Sequence, residues 1–215
     1  MQQLQFKILE FLKGMGTILL YFIISLICSY FFQDFYYHDN FVIATIFQLL
    51  VYVIMLLILG IIYHKRLIKD FKNWIIGLGV MFIANILISS FVSGIASNEE
   101  ANRTLLGTYP ISSIISMAFL GPLIEEITFR ASFKKAFCKW YTFAIVTALL
   151  FGTAHIQSFF ISYDFRELLF LIPYSALGFF FAKAFYETDN IYTSYIAHMF
   201  HNGMCVLLLL LLGWF

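Results

Sequence analysis

Two adjacent carboxylates, Glu125 and Glu126, sit in an otherwise apolar run from Ile111 to Phe129, with Arg130 directly behind it. Charge is costly in hydrocarbon, so an acidic pair kept there marks a functional site. On a helix Glu126 and Arg130 are four residues apart and share a face, which suits a charge-assisted pair. Glu125 is rotated by about 100° from Glu126. It is therefore left to face a polar cavity, where a carboxylate without a cation can take a proton from water. A second apolar window carries Phe151 and His155, and a third carries His198 and Asn202, again four apart and on one face. Both His198 and Asn202 can donate hydrogen bonds to charge growing on a carbonyl oxygen during attack. Together these groups are equipped for hydrolysis inside a membrane.

The same side chains admit other readings. They could form a structural polar cluster or the wall of a transport path. Glu125, His155 and His198 could also bind zinc, for which nitrogen and oxygen donors are suitable. Against a preformed zinc site, no His-Glu-x-x-His occurs on one helix, so three separate segments would have to converge. His201 lies partly on the face of His198 and either supports the site or belongs to another packing surface. His38 and His64, near Tyr36, Tyr37 and Lys65, read as residues of the membrane interface.

The elements that carry these groups are set by composition. Of 215 residues, 62% are hydrophobic and 12% charged, whereas a soluble domain is about half apolar and about a quarter charged. A helical span needs about 20 mostly apolar residues. Such windows fall at 14–33, 41–63, 74–96, 111–129, 141–162, 167–182 and 191–213. The expected fold is an all-α polytopic membrane protein with about seven transmembrane helices, residues 1–215 forming a single integral membrane domain. Pro110 and Pro122 bracket the early part of the fourth window and Pro173 lies in the sixth, so kinks are expected there.

Lys7, Glu10 and Lys13 precede a first apolar run that is long for a signal peptide and has no clear cleavage site, which indicates a retained span. The net charge of +1 is spread by loop and forms no patch for nucleic acid. Cys28, Cys138 and Cys205 are widely spaced and odd in number, matching neither a disulfide framework nor a clustered metal site. They read as packing residues. Residues 97–109 read as a solvated loop. Placing the N-terminus in the cytoplasm puts Lys7, Lys13, Lys65, Arg66, Lys69, Lys72, Lys134, Lys135, Lys139 and Lys183 inside, with Arg103 and Arg166 outside.

These residues resemble the CAAX protease and bacteriocin-processing family, also called the Abi family, of intramembrane proteases. Its Glu-Glu-x-x-x-Arg motif corresponds to Glu125, Glu126 and Arg130, its Phe-x-x-x-His motif to Phe151 and His155, and its His-x-x-x-Asn motif to His198 and Asn202. The match covers residues 110–203. The resemblance implies a CAAX-protease-like helical core and peptide-bond hydrolysis without a covalent intermediate. Glu125 and His155 would activate a water, and His198 and Asn202 would form the oxyanion hole. Glu126, Arg130 and Phe151 would support the site. It implies no cofactor, with zinc as the alternative.

The partners expected are the lipid bilayer and a small hydrophobic peptide or membrane-anchored precursor, in a bacterial plasma membrane, with roles in bacteriocin immunity or signal-peptide maturation. Homo-oligomerisation is left open. A non-catalytic immunity protein or a transporter using Glu125 as a proton-linked group is the competing class. One geometric problem accompanies this reading. Along straight helices at ~1.5 Å per residue, Glu125 lies about 13 Å from Lys134 and His155 about 24 Å from Lys139, so the two groups start at unequal heights.

Overall fold

A computed structural model describes residues 2–37, Val53 and 96–213. Apart from Val53 and Ala96, the expected windows 41–63 and 74–96 lie outside the described residues, as do His38 and His64. Among the described residues the chain is helical and contains no strand. Among the described residues, four helical segments are long and apolar enough to cross a membrane: Gln2–Ile27, Pro110–Ala136, Glu167–Thr188 and Ile191–Leu212. The protein is a multi-pass helical membrane protein.

Helix α1 (Gln2–Tyr37) is one continuous rod that begins well before the expected window. Helix α2 (Ser97–Thr108) replaces the loop expected there. Its first turn is tied to a distant segment, because Glu167 Oε1 accepts from the Ser97 backbone N–H at 3.0 Å and from its hydroxyl at 2.5 Å. Tyr109 breaks the helix with φ −132°, as a residue before proline should. Pro110 then opens α3 (Pro110–Ile115) at a position where its missing N–H costs nothing.

The chain from Pro110 to Ala131 stays helical but alternates in pitch. A wide π turn at Ser116–Leu120 leads into α4 (Gly121–Glu126), and a second wide turn follows at Ile127–Ala131. The first lies directly before Pro122, where the lost N–H favours a register change over a break. The two carboxylates thus end a short α-helical stretch held between two wide turns.

Helix α5 (Trp140–His155) stops at His155, and the short α6 (Phe159–Ser162) follows a turn, so the window expected at 141–162 is not one helix. Helix α7 (Glu167–Thr188) runs unbroken through Pro173 and past the expected end at 182. Asp189, in the left-handed region at φ 53°, ends α7. Asn190 then caps α8 (Ile191–Leu212) by accepting from the Tyr192 N–H at 3.0 Å.

Helices α5 and α7 pack antiparallel over their length, with Phe143 beside Phe185 and Gly152 beside Ser175. Small residues permit the close approach that stabilises helix pairs in lipid. A Cβ at Gly152 would run into Ser175 Oγ and stand 3.1 Å from the Ser175 backbone N. Gly152→Ala is therefore expected to cost about 1–3 kcal/mol by overpacking, read as a lower unfolding midpoint in detergent. Gly16→Ala, where a Cβ meets nothing within 4 Å, is the control that keeps the midpoint.

Helix α1 lies antiparallel to the 110–136 segment, with the Phe11 ring 5.5 Å from Phe133 and Tyr21 6.4 Å from Phe129. Cations mark one end of this bundle. Lys7 Nζ donates to the Lys135 carbonyl at 2.7 Å, Lys134 Nζ donates to the Tyr186 carbonyl at 2.8 Å, and Lys183 Nζ lies 5.7 Å over Trp140. The opposite end carries the Arg103–Glu99 pair at 2.5 Å and the Arg166–Asp164 pair at 2.6 Å, where the guanidinium holds the Asp164 carboxyl below its ordinary range. Cys138 is exposed and Cys205 is partly buried, so the packing role expected for Cys138 is not observed. Cys28 has no described side chain.

Candidate active site

Of the residues singled out by sequence, Glu125, Glu126, Arg130, Phe151, His155 and His198 meet at the junction of α4, α5, α7 and α8. Glu126 and Arg130 are both fully buried, with Arg130 Nε 3.5 Å from Glu126 Oε2. The guanidinium also donates from Nη2 to the Gly178 carbonyl at 3.2 Å and lies 4.5 Å over the Phe151 ring. On the other side of Glu126, His198 Nδ1 is 3.0 Å from Oε1, and Ser194, whose hydroxyl donates to the Ile191 carbonyl at 3.1 Å, lies near the same carboxylate. Glu126 is therefore a hub whose charge is met by Arg130 and whose hydrogen bond comes from α8.

Glu125 points elsewhere, as the 100° rotation required. Its Oε2 lies 3.5 Å from His198 Nε2 and 4.0 Å from His155 Nε2. Its side chain is 17% exposed, whereas that of Glu126 is 0% exposed, so Glu125 is the carboxylate a substrate can reach. Among the described residues nothing hydrogen-bonds to the buried Glu125 Oε2. Both separations exceed an ordinary direct bond, and at 4.0 Å Glu125 and His155 can share a water that lies to one side of the line between them.

The two imidazoles are held by different means. His155 Nδ1 donates to the Phe151 carbonyl one turn back at 2.8 Å, which leaves Nε2 directed at Glu125. Its ring packs on Phe151, with centroids 4.3 Å apart, and stacks on Tyr174 at 4.7 Å. His198 stacks on Phe181 at 4.6 Å and is buried at 1% exposure. The height difference anticipated between Glu125 and His155 is closed in the fold. Helix α5 ends at its histidine, and the partner segment changes pitch on both sides of its carboxylates.

Asn202 takes a position that sequence spacing did not foresee. Its Nδ2 donates to the Met117 carbonyl at 2.9 Å, so one of its N–H groups ties α8 to the first wide turn. His201 is buried with Nε2 3.7 Å from Cys205 Sγ. Sequence reasoning did not find Phe181, Tyr174, Ser194 or the Gly178 and Met117 carbonyls. Two are aromatics among many and two are backbone groups, which carry no signal in residue type. Only Ser194, four residues before His198, has the helical spacing that could have betrayed it. As zinc donors Glu125, His155 and His198 have suitable chemistry, yet among the described residues no three His, Cys, Asp or Glu side chains are grouped to hold a metal ion.

The chain is 27% identical over 176 residues to "Putative membrane peptidase YdiL" of Bacillus subtilis, covering 73% of this chain and 66% of that protein. It is 26% identical over 166 residues to an uncharacterised protein of Mycoplasma capricolum, covering 68% of this chain and 47% of that protein. The chain thus spans just under two thirds of the first relative and about half of the second. No solved structure matches it significantly. Residues 107–204 match the family described as type II CAAX prenyl endopeptidase Rce1-like, and that segment holds all three motifs. This motif-bearing segment is thus similar to the CAAX-protease-type family, and the chain as a whole to a membrane protein named as a peptidase.

Proposed function

We propose that this protein is an intramembrane endopeptidase that cleaves a peptide bond with a water activated by Glu125 and His155. The observation that carries the reading is the convergence of Glu125 Oε2 with the Nε2 atoms of His198 and His155 at 3.5 and 4.0 Å. A water between Glu125 and His155 would donate one hydrogen to each, which aims its lone pair at a carbonyl carbon. In the first step the water oxygen bonds to that carbon while Glu125 takes the proton. In the second step the C–N bond breaks and the same proton passes to the departing amine. No covalent enzyme intermediate is needed.

His198 faces the developing oxyanion. Its Nδ1 donates to Glu126, so an Nε2–H donor requires the imidazolium form, whose charge is offset by carboxylates on both sides. Asn202 keeps one amide N–H beyond the bond to Met117, and that donor completes the hole. Glu126, Arg130 and Phe151 fix the frame. The orientation we propose has the lysine-rich end of the bundle in the cytoplasm of a bacterial cell. The substrate class is a small hydrophobic peptide or membrane-anchored precursor, which fits peptide maturation or bacteriocin self-immunity.

The reading is tested with purified protein in liposomes, incubated with a library of hydrophobic peptides and analysed by mass spectrometry for new termini. New termini that persist in a strong chelator are expected. Cleavage abolished by the chelator and restored by zinc would replace this mechanism with a metal-dependent one at the same residues. No cleavage, together with peptide flux across the bilayer that depends on Glu125, would instead favour a transporter.

A further inference from the structure

The imidazole of His155 is carried by the last residue of a helix, where backbone restraint is weakest. Ile156, at φ −110° and ψ 27°, has already left the helix. One hydrogen bond, from Nδ1 to the Phe151 carbonyl, fixes one edge of the ring. The plane of the imidazole is set by two rings, of which Phe151 on the same helix supplies one, with centroids 4.3 Å apart. From α7 the Tyr174 ring stacks on it with centroids 4.7 Å apart and planes inclined by 29°. Tyr174 is itself moored, because its hydroxyl accepts from Asn98 Nδ2 of α2 at 3.4 Å. The start of α2 is anchored to the first residue of the same helix α7, about two turns before Tyr174, through Ser97 and the buried Glu167.

We propose that Tyr174 is a positioning residue for His155, holding the imidazole plane so that Nε2 stays on Glu125, with α2 serving as the mooring of its hydroxyl. This rests on the peptidase reading for its purpose but not for its geometry. Without the Tyr174 ring the imidazole keeps only the Phe151 contacts of its own helix, and wider rotation about its Cβ–Cγ bond would swing Nε2 away from the water it helps to orient. Misplacement of that order costs about 100-fold in rate when it affects a reacting group.

The test combines two measurements on the full chain in detergent micelles. In 15N-histidine-labelled protein, with the His155 signal assigned through His155→Gln, the wild type is expected to show one tautomer, protonated at Nδ1. Tyr174→Leu is expected to broaden that signal into a mixture of both tautomers, and Tyr174→Phe, which keeps the ring, to recover it. On a peptide cleaved by the wild type, Tyr174→Leu should lower kcat by about 10- to 100-fold with KM little changed, and Tyr174→Phe should rescue most of the loss.

An unaltered His155 signal and kcat in Tyr174→Leu would overturn the proposal. So would a Tyr174→Phe variant as impaired as Tyr174→Leu, because the hydroxyl and not the ring would then carry the effect. Should the wild type cleave no peptide, the nitrogen spectra still decide whether Tyr174 holds His155, and it is the peptidase reading that fails.

Discussion

Glu125→Gln is expected to lower kcat by at least about 100-fold, and as much as about 10⁴-fold, the range over which a positioned proton acceptor contributes. The substitution keeps the side chain's length and its hydrogen-bonding reach but removes the basic oxygen. Because Glu125 is partly exposed and stands outside the Glu126–Arg130 pair, the change leaves that buried pair and the Glu126–His198 bond in place. Membrane insertion and the unfolding midpoint in detergent should therefore match the wild type. Initial rates on a cleaved peptide, measured beside a thermal melt, separate the two properties. A Glu125→Gln protein that cleaves at the wild-type rate would remove Glu125 as the base.

Arg130→Met should produce the largest loss of stability, about 3–5 kcal/mol, because it strands a fully buried Glu126 without its cation. The side chain has three partners at once: the Glu126 carboxylate, the Gly178 carbonyl and the Phe151 ring. Lysine cannot serve all three, since it lacks the planar fork that bonds in two directions while stacking. Arg130→Lys is thus expected to recover only part of the loss. Pairing Arg130→Met with Glu126→Gln should be less harmful than the sum of the two singles, which a double-mutant cycle in mixed micelles measures. Strict additivity would mean that the two side chains are not energetically coupled.

Much of the site was legible because helical geometry acts locally. The four-residue spacing brings Glu126 to Arg130 within one segment, and the rotation between neighbours sends Glu125 to the histidines. The placement of His155 beside Glu125 was legible only as a requirement. Its solution depends on α5 stopping at the histidine, and the apolar residues from Phe159 to Ser162 conceal that stop. The bond from Asn202 to Met117 was not legible, because its acceptor is a carbonyl in a wide turn and a change of pitch leaves no mark on residue type. The polar composition of residues 97–108 suggested a loop. Contacts made by Ser97 and Asn98 with α7, many positions away in sequence, accompany a helix there.

Gly178 joins two properties that are usually tuned apart. A Cβ there would stand 3.1 Å from both Ala148 Cα and the Phe151 ring, so the bare backbone sets how near α5 comes to α7. The same residue's carbonyl receives the Arg130 guanidinium from the turn at Ile127–Ala131, so a shift of α7 away from α5 also moves the acceptor of that bond. Mechanical spacing and electrostatic balance are one variable at this position. Bulk added anywhere along that seam loosens the ionic frame around Glu126 as it spreads the helices, so losses of fold and of chemistry should rise together there and separate at Glu125.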